Sequence, residues 1–348
     1  MLYGNYDKFI QLLEGAEKIL LLPHLYADGD ALGSCGALAA FLTAAGHHVT
    51  VLTGEPVEAK LDFIAGISGV TFLSVGEIGR AKKYDLAVAV DTAAPDRLGN
   101  RLKYFEAAGA RARIDHHATG TDFSPETLLD PEWSATAEGV YLLLNRMGFD
   151  RGTERSDWLT DDVEKAVAGS IYTGLVTDTG CFAYSNVTAQ THYIASRTRA
   201  IAGNMSFVSH KVYEVKSLGY TRLMRTVYDK LSFPYPDICL LTLTKEDLAA
   251  AGADESDTGG IANILRDIEG VKAGIFIKPD NVPGKFRVSM RSDDSVNVGA
   301  IAGAFGGGGH VCAAGCGFAA KTPEQLAAQT DKLLEAVRKE IDGGREGE

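Results

Sequence analysis

Three short apolar runs in the first third of the chain stop abruptly at acid or histidine. LLLP leads into His24-Leu25-Tyr26-Ala27-Asp28-Gly29-Asp30, AVAV into Asp91, and RARI into Asp115-His116-His117. Short buried strands alternating with amphipathic stretches point to a parallel sheet covered by helices. In such sheets ligands bind beyond the carboxyl ends of the strands, so the polar residues at these three ends are predicted to meet. A fourth motif, Thr177-Asp178-Thr179-Gly180, follows a helical stretch and reads as a carboxylate on a tight turn in a loop.

The rest of the pattern divides the chain. Strands are expected at 18–22, 48–52, 70–73, 85–90 and 111–114, with helices over 31–45, 135–147, 160–173 and 188–202. The segment 206–231 has helical but no strand character, and from Asp237 the β/α rhythm restarts. ICLLTLT, VKAGIFI and KFRVSMR read as strands there. Helices are expected over 257–268, 297–305 and 323–341, with a glycine run at 306–309. The predicted fold is α/β in two domains. A larger, mainly parallel sheet domain with helices on both faces (1–203) is joined by a helical linker (204–232) to a smaller α/β substrate-binding domain (233–342), with a disordered tail at 343–348.

With 348 residues the chain is long enough for two cores. Its net charge of −12 disfavours tracking along extended duplex nucleic acid, but bound divalent cations would reverse the sign locally. Five cysteines, Cys35, Cys181, Cys239, Cys312 and Cys316, are odd in number and scattered, which suits a reducing cytoplasm rather than a disulfide framework. Cys35 and Cys181 read as small core residues, and Cys312 and Cys316 as packing behind the glycine run. No signal-peptide pattern and no membrane-spanning run is apparent, so a cytoplasmic protein with no membrane contact is expected.

Each acidic motif alone has an ordinary explanation: a turn with a helix cap for Asp28 and Asp30, a strand end for Asp91, a plain turn for Asp178. Asp115-His116-His117 is harder to dismiss, because two adjacent histidines after a buried strand are costly to bury without partners. Oxygen and imidazole donors suit Mn²⁺, Mg²⁺ or Fe²⁺ better than a thiolate-preferring metal. Converging carboxylates also repel one another unless cations neutralise them. A two-metal hydrolase accounts for all four motifs together, since paired ions acidify water and stabilise both attacking and leaving oxygens. Asp115 could hold a ligand from behind or simply cap its loop. Arg97 serves either the site or a domain junction. Phe182 and Tyr184 read as aromatic core packing, with stacking on a base the alternative. His47-His48 reads as surface.

HLYADGDALGS, VDTAAPDRLG, IDHH, GLVTDTGCFAYSN and the C-terminal VSMRS with GGGGHVCAAGC occur in an order that resembles the DHH phosphoesterases with a DHH-associated C-terminal domain. The likeness spans nearly the whole chain. It is greatest to the bacterial oligoribonucleases (nanoRNases) that also dephosphorylate 3′-phosphoadenosine 5′-phosphate. Ala27 stands where relatives often carry proline before the first aspartate.

The resemblance implies two divalent ions, with Mn²⁺ the expected metal. His24, Asp28 and Asp91 would bind one, and Asp30, Asp91, His116 and Asp178 the other. His117 would touch the scissile phosphate, and Asp115 would act beside it. Arg291, Gly307, Gly308, Gly309 and His310 would grip the substrate across a cleft, through an arginine fork and glycine N–H groups. Short oligoribonucleotides or small phosphorylated nucleotides are the implied substrates, and a homodimer is compatible with the likeness. Rival readings are a di-adenylate or cyclic di-AMP phosphodiesterase, a RecJ-like single-strand exonuclease, and a non-catalytic nucleotide sensor. An inactive sensor should have lost a metal ligand, and none is missing.

Overall fold

The structure is a computed structural model that describes residues 4–77, 83–293 and 295–345. It divides into two compact units, Met1–Val215 and Lys216–Glu348.

The first unit is built on α1 (Tyr6–Gly15), β1 (Lys18–Pro23), α2 (Gly29–Ala44), β2 (His48–Thr53), α3 (Phe63–Ser68), β3 (Phe72–Ser74), β4 (Leu86–Val90), α4 (Leu102–Glu106), β5 (Ala110–Asp115) and β6 (Glu126–Leu129). Helices α5 (Thr136–Arg146), α6 (Asp161–Asp178), α7 (Ala189–Ala202) and α8 (Ser206–Ser209) follow. The six strands form one sheet in the order β3-β2-β1-β4-β5-β6, with every pairing parallel. Side chains alternate between its faces, as the pleat requires. Leu86, Val88 and Val90 join a large core with Phe9 of α1, Leu38 of α2, Val140 of α5 and Ile171 of α6. Ala87 and Ala89 join a thinner layer with Leu98 and Phe105 on the opposite face. Burial on both faces explains why these strands read as continuous apolar runs.

Helix α2 is buried along almost its full length and packs against α6 at glycine positions. A Cβ on Gly33 would lie 2.5 Å from the Ser170 carbonyl oxygen, so only glycine admits this approach. Strand β6 and helix α1 are additions to the elements expected from sequence. Helix α6 is longer than expected and ends at Asp178 itself.

The second unit contains α9 (Leu218–Lys230), β7 (Ser232–Tyr235), β8 (Ile238–Thr242), α10 (Lys245–Ala251), α11 (Ile261–Arg266), β9 (Ala273–Pro279), β10 (Lys285–Ser292), α12 (Val298–Ala304), β11 (Gly308–His310), β12 (Ala313–Ala319) and α13 (Pro323–Arg345). Its six-stranded sheet, ordered β11-β12-β10-β9-β8-β7, is mixed, with β8 and β9 parallel and the other pairs antiparallel. The segment expected as a linker is shared between the units. Val208 packs with Val176 and Met205 of the first, whereas Leu223 and Val227 pack with Cys239 and Leu241 of the second. The expected helix over 257–268 is a short 3₁₀ turn, Ser256–Thr258, followed by α11, because left-handed Gly260 interrupts it. Helix α13 carries residues 343–345 of the expected tail, and 346–348 lie outside the described residues. Among the described residues no helix is long and apolar enough to cross a membrane.

Candidate metal centre

The carboxyl ends of β1, β4 and β5 bring the three strand-end motifs together, and the end of α6 adds the fourth. Asp28 caps α2: its Oδ1 accepts the N–H groups of Asp30 at 3.1 Å and Ala31 at 3.0 Å. Its Oδ2 remains to face His24 Nε2 at 3.6 Å. Gly29 is the first residue of α2, and a Cβ there would lie 2.4 Å from Thr177 Cγ2. The glycine admits the close approach of α6.

Asp30 is fully buried. Its oxygens accept the Thr136 N–H at 2.6 Å, the Ala137 N–H at 2.9 Å and the Ser34 hydroxyl at 3.2 Å. The two N–H groups are free donors at the start of α5, and the helix dipole favours a carboxylate there. Thr136 also donates its hydroxyl to Asp91 Oδ1 at 2.8 Å. Asp91 leaves β4 with a left-handed backbone, φ 55°, a conformation costing about 1–3 kcal/mol for a non-glycine residue. It is 2% exposed, and its two oxygens face different histidines: Oδ2 lies 3.6 Å from His24 Nε2 and Oδ1 lies 3.7 Å from His116 Nε2. Asp178 Oδ2 approaches His116 Nε2 at 3.4 Å.

The ring orientations are fixed from behind. His24 Nδ1 donates to the Leu25 carbonyl at 2.7 Å, and His116 Nδ1 donates to the Trp133 carbonyl at 3.2 Å. In the neutral ring each Nε2 is then the proton-free nitrogen, turned toward the carboxylates. Arg97 Nη2 reaches the same Leu25 carbonyl at 3.5 Å, which places Arg97 behind His24.

Donor separations of 3.4–3.7 Å are too long for hydrogen bonds. They suit neighbouring ligands of one ion, because donors about 2.0–2.2 Å from a common centre stand roughly 3–3.6 Å apart. Among the described residues three donor groups could hold a cation: His24, Asp28 and Asp91; Asp30, His116 and Asp178; and Asp91, His116 and His117. The residues fit a divalent metal.

Without cations three of the carboxylates are shifted toward the protonated form, whereas the neighbouring His24 ring outweighs burial and holds Asp28 below the usual carboxylate range. Burial, then the charges of Asp91 and Asp178, push Asp30 well above the usual carboxylate range. Burial and the Asp28 charge raise Asp91. Burial raises Asp178 to about 7, with His116 opposing and Asp91 adding to the shift.

His117 belongs to a second arrangement. Its Nδ1 donates to Asp115 Oδ1 at 2.7 Å. Burial disfavours its charged ring, but the Asp115 hydrogen bond and the surrounding acids prevail and hold it at about 9. Asp115 is fully buried and is held below the usual carboxylate range, where the His117 hydrogen bond and the Arg113 charge outweigh burial.

In the second unit, half-buried Arg291 donates from Nε to Asn263 Oδ1 and from Nη1 to the Met290 carbonyl, each at 2.9 Å. Gly308, Gly309 and His310, part of the expected glycine run and its following histidine, form β11, an exposed edge strand beside β12. A Cβ on Gly307 would lie 2.1 Å from the Gly315 carbonyl oxygen, and Gly309 has φ +145°, so both positions require glycine.

Three further expectations need correction. Asp178 is on the last turn of α6, where helical hydrogen bonds aim it, and not on a free loop. Cys181 is exposed with φ 58°, because the chain reverses there after α6. Tyr184 is 48% exposed, whereas Phe182 packs toward Tyr172 and His192. Thr136, Arg113 and Asn186 were not anticipated; Asn186 Nδ2 bonds the Ser134 carbonyl at 2.9 Å and the Asp178 carbonyl at 3.2 Å. Only Arg113 left a signal in the sequence, as a charge inside an otherwise buried strand.

Residues 18–175 match the DHH family, N-terminal domain, and residues 240–343 match the DHHA1 domain. The chain is 28% identical over 323 residues to the bifunctional oligoribonuclease and PAP phosphatase NrnA of Thermus thermophilus, covering 93% of this chain and 90% of that protein. It is 24% identical over 308 residues to the NrnA of Bacillus subtilis, covering 88% and 91%. The crystal structure of an exopolyphosphatase-related protein from Bacteroides fragilis superposes with a TM-score of 0.85 at 28% identity, covering 96% of this chain and 97% of that one.

Proposed function

We propose that this chain, which belongs to the DHH family and is a phosphoester hydrolase, uses two divalent ions to cut short oligoribonucleotides to mononucleotides and releases phosphate from 3′-phosphoadenosine 5′-phosphate. The observation that carries this reading is Asp91, whose two oxygens face two different histidine–carboxylate sets. His24 and Asp28 would hold one ion and Asp30, His116 and Asp178 the other, with Asp91 common to both. Ions bound there, Mn²⁺ in this reading, would supply positive charge at a phosphoryl group and acidify water.

The chain's own groups do the rest. Asp115 keeps His117 protonated, so that Nε2–H can donate to a phosphoryl oxygen and stabilise charge as it builds in the transition state. The bonds from His24 and His116 to backbone carbonyls keep both rings in the ligating tautomer. Arg291, Gly307, Gly308, Gly309 and His310 would recognise a substrate phosphate through the guanidinium and the exposed β11 edge, with Gly307, whose N–H already donates to the Ala302 carbonyl at 2.9 Å, contributing close approach and not a donor. The two NrnA relatives, named for activity on oligoribonucleotides and PAP, support this substrate class.

The test is a side-by-side assay with Mn²⁺ on dinucleotides, five-mers, a long single strand, cyclic di-AMP and 3′-phosphoadenosine 5′-phosphate. Dinucleotides and five-mers should turn over fastest. Fastest cutting of the long strand or of cyclic di-AMP would reject this substrate class. Mn²⁺-dependent turnover that survives combined Asp91→Ala and His116→Ala would reject the two-metal site.

A further inference from the structure

Behind His117 lies a chain of polar side chains that starts inside the sheet. Arg113 sits on β5, in register with Ala89 of β4 and Thr127 of β6, and is only 2% exposed. Its guanidinium stands 5.4 Å from the centre of the Phe123 ring. Nη2 pairs with Asp115 Oδ2, and Asp115 Oδ1 accepts the His117 ring N–H at 2.7 Å. The remaining contacts of Arg113 are poor: Nη1 reaches the Thr121 carbonyl at 3.4 Å, and Nε has no partner among the described residues.

A buried arginine with a donor left over is an inefficient way to stabilise a sheet, since an apolar side chain of similar size often does as well. What the placement does achieve is directional. Asp115 can rotate its carboxylate plane unless one oxygen is fixed, and Arg113 fixes Oδ2 from the side away from His117. Oδ1 is then aimed at His117 Nδ1, which sets both the proton's position and the angle of the ring.

We propose that Arg113 is a positioning residue, which acts through Asp115 to lock the His117 ring with Nε2 facing a phosphoryl oxygen of the substrate. The identity of that target rests on the phosphodiesterase reading above; the Arg113–Asp115–His117 chain does not.

The experiment uses the full chain labelled with ¹⁵N-histidine, as wild type, Arg113→Met and Arg113→Lys. Ring ¹⁵N–¹H spectra without metal should show a protected His117 Nδ1–H in the wild type that is lost to exchange in Arg113→Met. Calorimetry with Mn²⁺ alone should give affinities within about threefold of each other, while kcat on a dinucleotide falls about 10–100-fold in Arg113→Met with KM little changed. If Arg113→Met does not fold, Arg113→Lys, which keeps the charge but not the fork, should show the same loss of ring protection in weaker form. An unchanged Nδ1–H signal in the folded variants overturns the proposal, as does Mn²⁺ affinity falling in step with kcat. A wild type that shows the protected ring but no turnover of any nucleotide would count against the proposed function and leave the positioning role standing.

Discussion

Asp91 concentrates the constraints of the site at one residue. It has a left-handed backbone, it accepts the Thr136 hydroxyl, and its carboxylate faces His24, His116 and His117. A residue held at that conformational cost and so thoroughly buried is there for what its side chain reaches. Asp91→Asn should abolish measurable Mn²⁺ binding by calorimetry and turnover with it. Thr136→Val removes one hydrogen bond and leaves the carboxylate, so the loss in affinity or activity should stay within about 10–100-fold. Equal and undiminished Mn²⁺ affinity in both variants would take Asp91 out of the site.

At the level of elements, the site depends on how closely α2, α5 and α6 approach one another. Asp30 enters from the first turn of α2, receives N–H groups from the first turn of α5, and lies against α6 at Gly174. A Cβ on Gly174 would stand 2.8 Å from Asp30 Oδ1 and 2.6 Å from the Ala137 Cβ. Gly174→Ala must therefore push α6 away from both neighbours. Urea unfolding should show a destabilisation of about 1–3 kcal/mol. Mn²⁺ affinity should drop as well, because Asp178 ends the displaced helix. Loss of stability with wild-type metal affinity would show that the helices adjust without moving the carboxylates.

For the molecule as a whole, the carboxylate cluster couples metal, pH and stability. Asp30 and Asp91 are raised, and Asp178 lies at about 7. Unfolded aspartates release their protons near pH ~3.9. Between there and about 7 the metal-free folded chain holds more protons than the unfolded one, so its stability falls as pH rises through that window. Divalent cations need the ionised carboxylates and bind better as the protons leave. Calorimetric scans should show the metal-free Tm declining from pH 5 to pH 8, with Mn²⁺ raising it far more at pH 8 than at pH 5. Free Mn²⁺ at about 100 times its Kd would add about 2.7 kcal/mol. A metal-free Tm that climbs over this range, or an equal Mn²⁺ effect at both pH values, would refute the coupling.

The sequence by itself determined the parallel sheet, the two α/β units and the residues that gather at the strand ends. Strands buried on both faces must be continuous apolar runs, and β1, β4 and β5 announce themselves and their terminal His24, Asp91 and Asp115 without help from distant parts of the chain. Edge elements left weaker traces: β6 and β11 are short and largely set by pairing with a neighbour, and the glycine run at 306–309 gives no local sign that Gly315 packs against Gly307. Only the tertiary structure decided how the ligand candidates are held. The N–H groups that receive Asp30 come from residues 106 and 107 positions away, and the arginine behind His117 acts through a carboxylate on the same strand. Periodicity and motif spacing record what a residue needs locally, whether burial, a cap or a turn. They do not record which distant backbone donor fills a buried carboxylate's remaining valence, because that partner is chosen by packing.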